Sequence, residues 1–244
     1  MEATQTKPRP TLLGKSVTTP VDQRKRKEVA VHVRKPVAIF YVGGAGDKRK
    51  FVPLPAFIAG PFRNILDAKN QIDKRTPDLR KLRLIYDYWR GYYEVYGDAN
   101  IKTNVLRYLP DKTIPVVIVG HSLGGWNGAH LSSTLTKAGY KVELLVTLDP
   151  VGEGAMVSST SDIYGDTPKP TAKYWNNIRA RPKDGNFSDV IADLGEQWTI
   201  KEGPQMNHVV DVNHADAGIM FTRPLGGGKS AADIMTETLR KLTK

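Results

Sequence analysis

Cysteine is absent from the 244 residues. That excludes disulfide scaffolds, thiolate zinc sites and cysteine nucleophiles together, and it removes the usual clue to redox compartment. Long apolar runs are missing too: no window reaches the roughly eighteen consecutive apolar residues of a membrane-spanning helix. The first fifteen residues, MEATQTKPRPTLLGK, hold no apolar core of the kind a secretory signal needs. Cytoplasmic synthesis is therefore the expectation, with export by a signal-independent route left open. Charge of one sign is not lacking: 36 Lys and Arg stand against 25 Asp and Glu, a net +11. More than half of that excess lies in residues 1–35, where nine basic residues face three acidic ones in a Thr- and Pro-rich context. This stretch reads as a basic, flexible arm. Its other readings are a contact with an anionic membrane surface or with a partner protein. Nucleic-acid binding is not expected, because no recognised nucleic-acid motif accompanies the charge.

The remainder, residues 36–244, is the right size for one α/β domain and too short for two. Pro36-Val-Ala-Ile-Phe-Tyr-Val42 is a continuous apolar run closed by Gly43-Gly-Ala-Gly46, the pattern of a strand buried on both faces. Residues 114–119 and 142–148 read the same way. Residues 79–96 place Leu82, Ile85, Trp89, Tyr92, Tyr93 and Tyr96 near one face at helical spacing, which predicts a helix whose aromatic face is core rather than an acyl pocket. Further helices are expected over 100–109, 123–138 with Gly139 as its stop, and 229–243. Shorter strands fit 172–179 and 209–212. Between 151 and 205 the pattern weakens, and that stretch is a candidate lid or insertion. Strands alternating with helices imply a mostly parallel central sheet with helices on both faces, and a functional site beyond the carboxyl ends of the strands.

The chemistry-bearing residues fall at those ends. Gly120-His-Ser122-Leu-Gly124 follows a buried strand and opens a helix, the arrangement of a nucleophile elbow, with Ser122 at its tip. A serine attacks only when a base takes its proton, and the base needs a carboxylate to fix its tautomer. Asp149 ends the next strand and is the candidate acid; a loop-capping aspartate before Pro150 is the bland alternative. Five histidines compete for the role of base. His32 lies on the basic arm, His121 points elsewhere on the serine turn, and His130 lies two turns along the helix leading away. His214, in a loop after the last strand, is preferred, and His208, before that strand, is the second choice. Backbone N–H groups for an oxyanion hole should come from Leu123 and from Gly44 or Ala45 in the first glycine loop. That loop lacks the G-K-[ST] ending and the G-x-G-x-x-G spacing of phosphate cradles.

Gly120-His-Ser-Leu-Gly-Gly125 matches the G-H-S-L-G-G form common in lipases, and Val146-Thr-Leu-Asp149-Pro-Val-Gly152 resembles the L-D-P-A-G segment of the pancreatic lipase family. The chain thus resembles the lipase branch of the α/β-hydrolase superfamily over residues 36–220, without that family's cysteines or carboxyl-terminal lipid-binding domain. The resemblance implies an α/β-hydrolase fold with Ser122 and Leu123 at the elbow and Asp149 as the triad acid; with His214 as base, the expected substrate is a small-molecule or lipid ester, and this chemistry requires no cofactor. A thioesterase, amidase or peptidase using the same residues, and a non-catalytic scaffold acting through the basic arm, are the rival readings.

Overall fold

The computed structural model describes residues 34–47 and 63–244. Apart from Arg34 and Lys35, the basic arm, with His32, lies outside the described residues. In chain order the elements are β1 (Val37–Gly43), α1 (Arg63–Arg75), α2 (Pro77–Lys81), β2 (Ile85–Gly91), α3 (Asp98–Asn104), β3 (Val116–His121), α4 (Leu123–Lys137), β4 (Val142–Leu148), α5 (Ala155–Thr160), β5 (Trp175–Ala180), α6 (Phe187–Leu194), β6 (Met206–Val210), α7 (Ala217–Thr222) and α8 (Ala231–Leu242). Single 3-10 turns cover Ala45–Asp47, Tyr92–Val95 and Leu106–Tyr108.

The six strands form one parallel sheet in the order β2-β1-β3-β4-β5-β6. Side chains alternate between its faces, and the two cores divide accordingly. Val37, Ile39, Tyr41, Val117, Val119, Leu144 and Val146 pack with Ile65 and Ile72 of α1, Phe221 of α7 and Met235 of α8. Ala38, Phe40, Val42, Val116, Ile118 and Leu145 pack on the other side with Ile101 of α3 and Trp126, Leu131 and Leu135 of α4. Each fully buried Val, Ile or Leu contributes about 1.5–3 kcal/mol. Apolar side chains on both faces explain why β1, β3 and β4 are continuous apolar runs.

One expected element is different. Residues 79–96 are not a single helix: α2 stops at Lys81, Arg83 takes a left-handed φ of 54°, and Ile85–Gly91 is the edge strand β2. Its backbone pairs with β1 from Val37↔Ile85 to Gly43↔Gly91. Ile, Tyr and Trp favour a pleated, half-covered surface, and an edge strand leaves most of β2 only half-buried. The stretch 151–205 is also more ordered in pattern than its composition suggests, since it contains α5, α6 and the sheet strand β5.

The sheet order places a switch point between β1 and β3. These neighbours are paired through Val42↔Gly120, yet the helix after β1 (α1) packs on one face and the helix after β3 (α4) on the other. Chain leaving in opposite directions opens a crevice at the carboxyl ends of the two strands. The first glycine loop and the serine turn meet there.

Candidate active site

Ser122 sits between β3 and α4 with φ 57° and ψ −129°, a backbone conformation that L-residues rarely adopt. The strain is held by packing. A Cβ at Gly120 would stand 2.3 Å from the carbonyl oxygen of Gly124, so only glycine lets helix and strand approach this closely. Asp149 also has a left-handed φ, 43°, at the end of β4, and its N–H donates to the Ile178 carbonyl at 2.7 Å. His214 lies in the loop between β6 and α7. The three come from the ends of different strands.

They meet in one relay. The Nδ1–H of His214 donates to Asp149 Oδ2 at 2.7 Å. That bond leaves the Nε2 lone pair of His214 facing the Ser122 hydroxyl, which donates to it at 3.1 Å. Asp149 is fully buried, whereas Ser122 and His214 keep 6% and 7% of their surface exposed. Burial, the main influence, pushes the His214 imidazole below the ordinary histidine value; the Asp149 hydrogen bond opposes this and the neighbouring His121 adds to it. An imidazole neutral at physiological pH is the result. His208 is elsewhere: it lies within β6, paired in register with Ile178.

The rest of the setting carries no local sequence signature. Asp149 Oδ1 accepts the N–H of Ala180 at 2.9 Å, and Oδ2 also accepts Gln197 Nε2 at 2.6 Å. Arg181 in turn donates to Gln197 Oε1. No motif marks Gln197, which reaches the acid through an isolated bridge between its backbone and Val151. Helix α6 braces the histidine loop, with the N–H groups of His214 and Ala215 donating to Asp189 Oδ1 (2.8 Å) and Ser188 Oγ (3.2 Å).

The fold is that of the α/β-hydrolases. An all-parallel sheet carries a serine on a strained strand-to-helix turn, an acid after the next strand, and a histidine after the last. No protein-family model matches the sequence, and no curated protein matches it. Solved structures similar to it include the esterase domain of a Rhodothermus marinus protein (9% identity, 86% of this chain and 89% of that one, TM-score 0.43). An esterase of Pyrobaculum calidifontis (12%, 86% and 78%, 0.43) and the type II thioesterase YbtT of the yersiniabactin biosynthetic pathway (11%, 86% and 95%, 0.40) are others. Likenesses at this level say nothing of substrate, which only the site itself can address.

The first glycine loop lies against Ser122. A Cβ on Gly44 would stand 2.5 Å from Ser122 Cβ and 3.0 Å from its Oγ. The Gly44 N–H is directed to Asp47 Oδ2 at 3.2 Å, whereas the N–H groups of Ala45 and Leu123 have no protein acceptor among the described residues. Leu123 is the first residue of α4, where helical N–H groups have no intrahelical partner. Among the described residues no group of three or more His, Asp or Glu side chains is placed to hold a metal, and no helix is long and apolar enough to cross a membrane.

Proposed function

We propose that this chain is a serine hydrolase that cleaves a carboxylic ester through a covalent acyl-enzyme. The carrying observation is the unbroken relay from Asp149 through His214 to the Ser122 hydroxyl, with contacts of 2.7 and 3.1 Å. Ser122 Oγ attacks the acyl carbonyl carbon while its proton passes to His214 Nε2. The oxyanion accepts from the N–H groups of Leu123 and Ala45; Gly44, the other candidate, is occupied by Asp47. His214 then returns the proton to the departing alkoxide as the acyl–Oγ bond becomes the only link to the substrate. Water, deprotonated by the same imidazole, attacks the acyl-enzyme, and the acid is released with Ser122 restored. Asp149 orients the imidazole and offsets its transient charge. No step needs a cofactor.

The acyl group is best read as apolar, a lipid or phospholipid ester among the candidates. Val190, Ile191 and Leu194 form a stripe on α6 that is 44–57% exposed. Asp189, on the same helix, holds the His214 loop, so the stripe lies beside the proposed site. The suggestion that the basic arm meets an anionic membrane surface concerns residues outside the described ones.

Labelling with a fluorophosphonate probe tests the reading. Wild-type protein should label once, and Ser122→Ala should not label at all; a folded wild type that resists the probe would refute it. Hydrolysis of p-nitrophenyl esters, thioesters and anilides across acyl lengths then separates ester from thioester and amide chemistry. Faster turnover of anilides than of esters would replace the ester reading.

A further inference from the structure

Of the buried polar side chains that take no part in the proposed proton transfers, two lie behind the proposed nucleophile. Asp47 is 0% exposed and His121 is 1% exposed. Asp47 Oδ1 accepts the N–H of Asn64, in the first turn of α1, at 3.0 Å, and Oδ2 accepts the N–H of Gly44 at 3.2 Å. One carboxylate therefore ties the loop after β1 to the start of α1, where a negative charge is favoured. His121 immediately precedes Ser122. Its Nε2 lies 2.8 Å from the carbonyl oxygen of His214, and a carbonyl only accepts, so Nε2 carries the hydrogen. Its Nδ1 has no hydrogen-bond partner among the described residues and lies 3.9 Å from Asp47 Oδ2. The His121 and His214 rings lie 4.8 Å apart.

We propose that Asp47 and His121 are positioning residues for the hydrolysis, a second acid–imidazole pair beneath the first. Asp47 engages the Gly44 N–H and so leaves that of Ala45 for the oxyanion. His121 holds the backbone of the proposed base through the His214 carbonyl. Together they join the oxyanion loop, the serine turn and the histidine loop by polar contacts that an apolar filler would not make. Merely to fill the space, an imidazole would be a poor choice, since it buries a nitrogen without a hydrogen bond.

This inference rests on the serine-hydrolase reading, so its test uses that chemistry with variants that leave the triad intact. His121→Leu, His121→Gln and Asp47→Asn are compared with wild type for kcat and KM on p-nitrophenyl butyrate, with thermal melting as the check on folding. His121→Leu should lower kcat by about tenfold to a hundredfold, the scale of a misplaced reacting group, with KM within about twofold. His121→Gln, whose side-chain amide nitrogen stands where Nε2 stood, should recover most of that loss. A folded leucine variant with wild-type kcat, or a glutamine variant as impaired as leucine, would overturn the proposal. Should the leucine variant not fold, Asp47→Asn decides: its single amide oxygen can accept only one of the Gly44 and Asn64 N–H groups and its NH2 faces the other, so the tie between loop and helix is broken and kcat should fall at least about fivefold with KM unchanged. Wild-type kcat in that variant would overturn it equally. Failure of wild type to label with fluorophosphonate would refute the hydrolase reading itself, and the pair's role with it.

Discussion

Replacing Gly44 with alanine adds one methyl group directly against the nucleophile. The new carbon would stand 2.5 Å from Ser122 Cβ, 3.0 Å from Oγ and 3.1 Å from the His121 carbonyl oxygen. Non-bonded carbons settle at about 3.5–4.0 Å, so loop and serine must separate by roughly 1 Å. Two of the three obstacles belong to the nucleophile or its backbone, so the separation falls on reacting atoms. A misplacement of about 1 Å costs on the order of 100-fold in rate, equivalent to about 2.7 kcal/mol of barrier. The overpacking should also cost about 1–3 kcal/mol of stability. The assay is the second-order rate of fluorophosphonate labelling, with Gly165→Ala as control because a Cβ there meets nothing within 4 Å. Gly44→Ala should label about 100-fold more slowly while the control matches wild type. Equal rates for all three proteins would show that the loop does not abut a working nucleophile.

Three further outcomes follow from the same geometry. Asp149→Asn places a donor where Ala180 N–H or His214 Nδ1–H now donates, so the imidazole turns to the wrong tautomer; kcat should fall about 10³–10⁴-fold with the fold retained, and a loss under tenfold would refute the orienting role. Gln197→Ala removes one of the donors to the buried carboxylate, and should cost about 1–3 kcal/mol of stability by denaturant melting and lower kcat; an unchanged melt and kcat would show the contact to be idle. Because burial lowers the His214 pKa, the imidazole stays neutral, and able to accept a proton, to below its ordinary 6.5, so the acid limb of kcat/KM should lie below pH 6.5. The same depressed value means the unfolded chain binds the extra proton first, so this histidine's share of stability is complete above 6.5 and is lost as pH falls. An acid limb at or above 6.5 would contradict the burial of the base.

The sequence was most readable where one physical constraint dominated. Strands β1, β3 and β4 carry apolar side chains to both faces, and α4 and α8 fall close to their expected spans of 123–138 and 229–243. The serine turn was legible because a strained backbone between strand and helix demands small neighbours. β2 departs from the expected helix because Ile85, Trp89, Tyr92 and Tyr96 satisfy a helical period, and only pairing with β1 decides for the strand. α1 carries only four apolar positions, Ile65, Leu66, Ala68 and Ile72, among polar residues, and α7 is six residues long, too short to show a period. Gln197 and Asp47 were invisible because their roles arise from contacts across the fold rather than from a local pattern. The place of His121 on the serine turn gives no sign of its reach to the His214 carbonyl.

The most direct test of covalent catalysis is a rapid-mixing experiment with p-nitrophenyl butyrate, quenched in acid and followed by mass analysis of the peptide carrying Ser122. A burst of one p-nitrophenolate per chain, with a butyryl group on Ser122 and none in Ser122→Ala, is expected. Turnover without any acyl group on that peptide, or a burst that survives Ser122→Ala, would contradict the proposed mechanism.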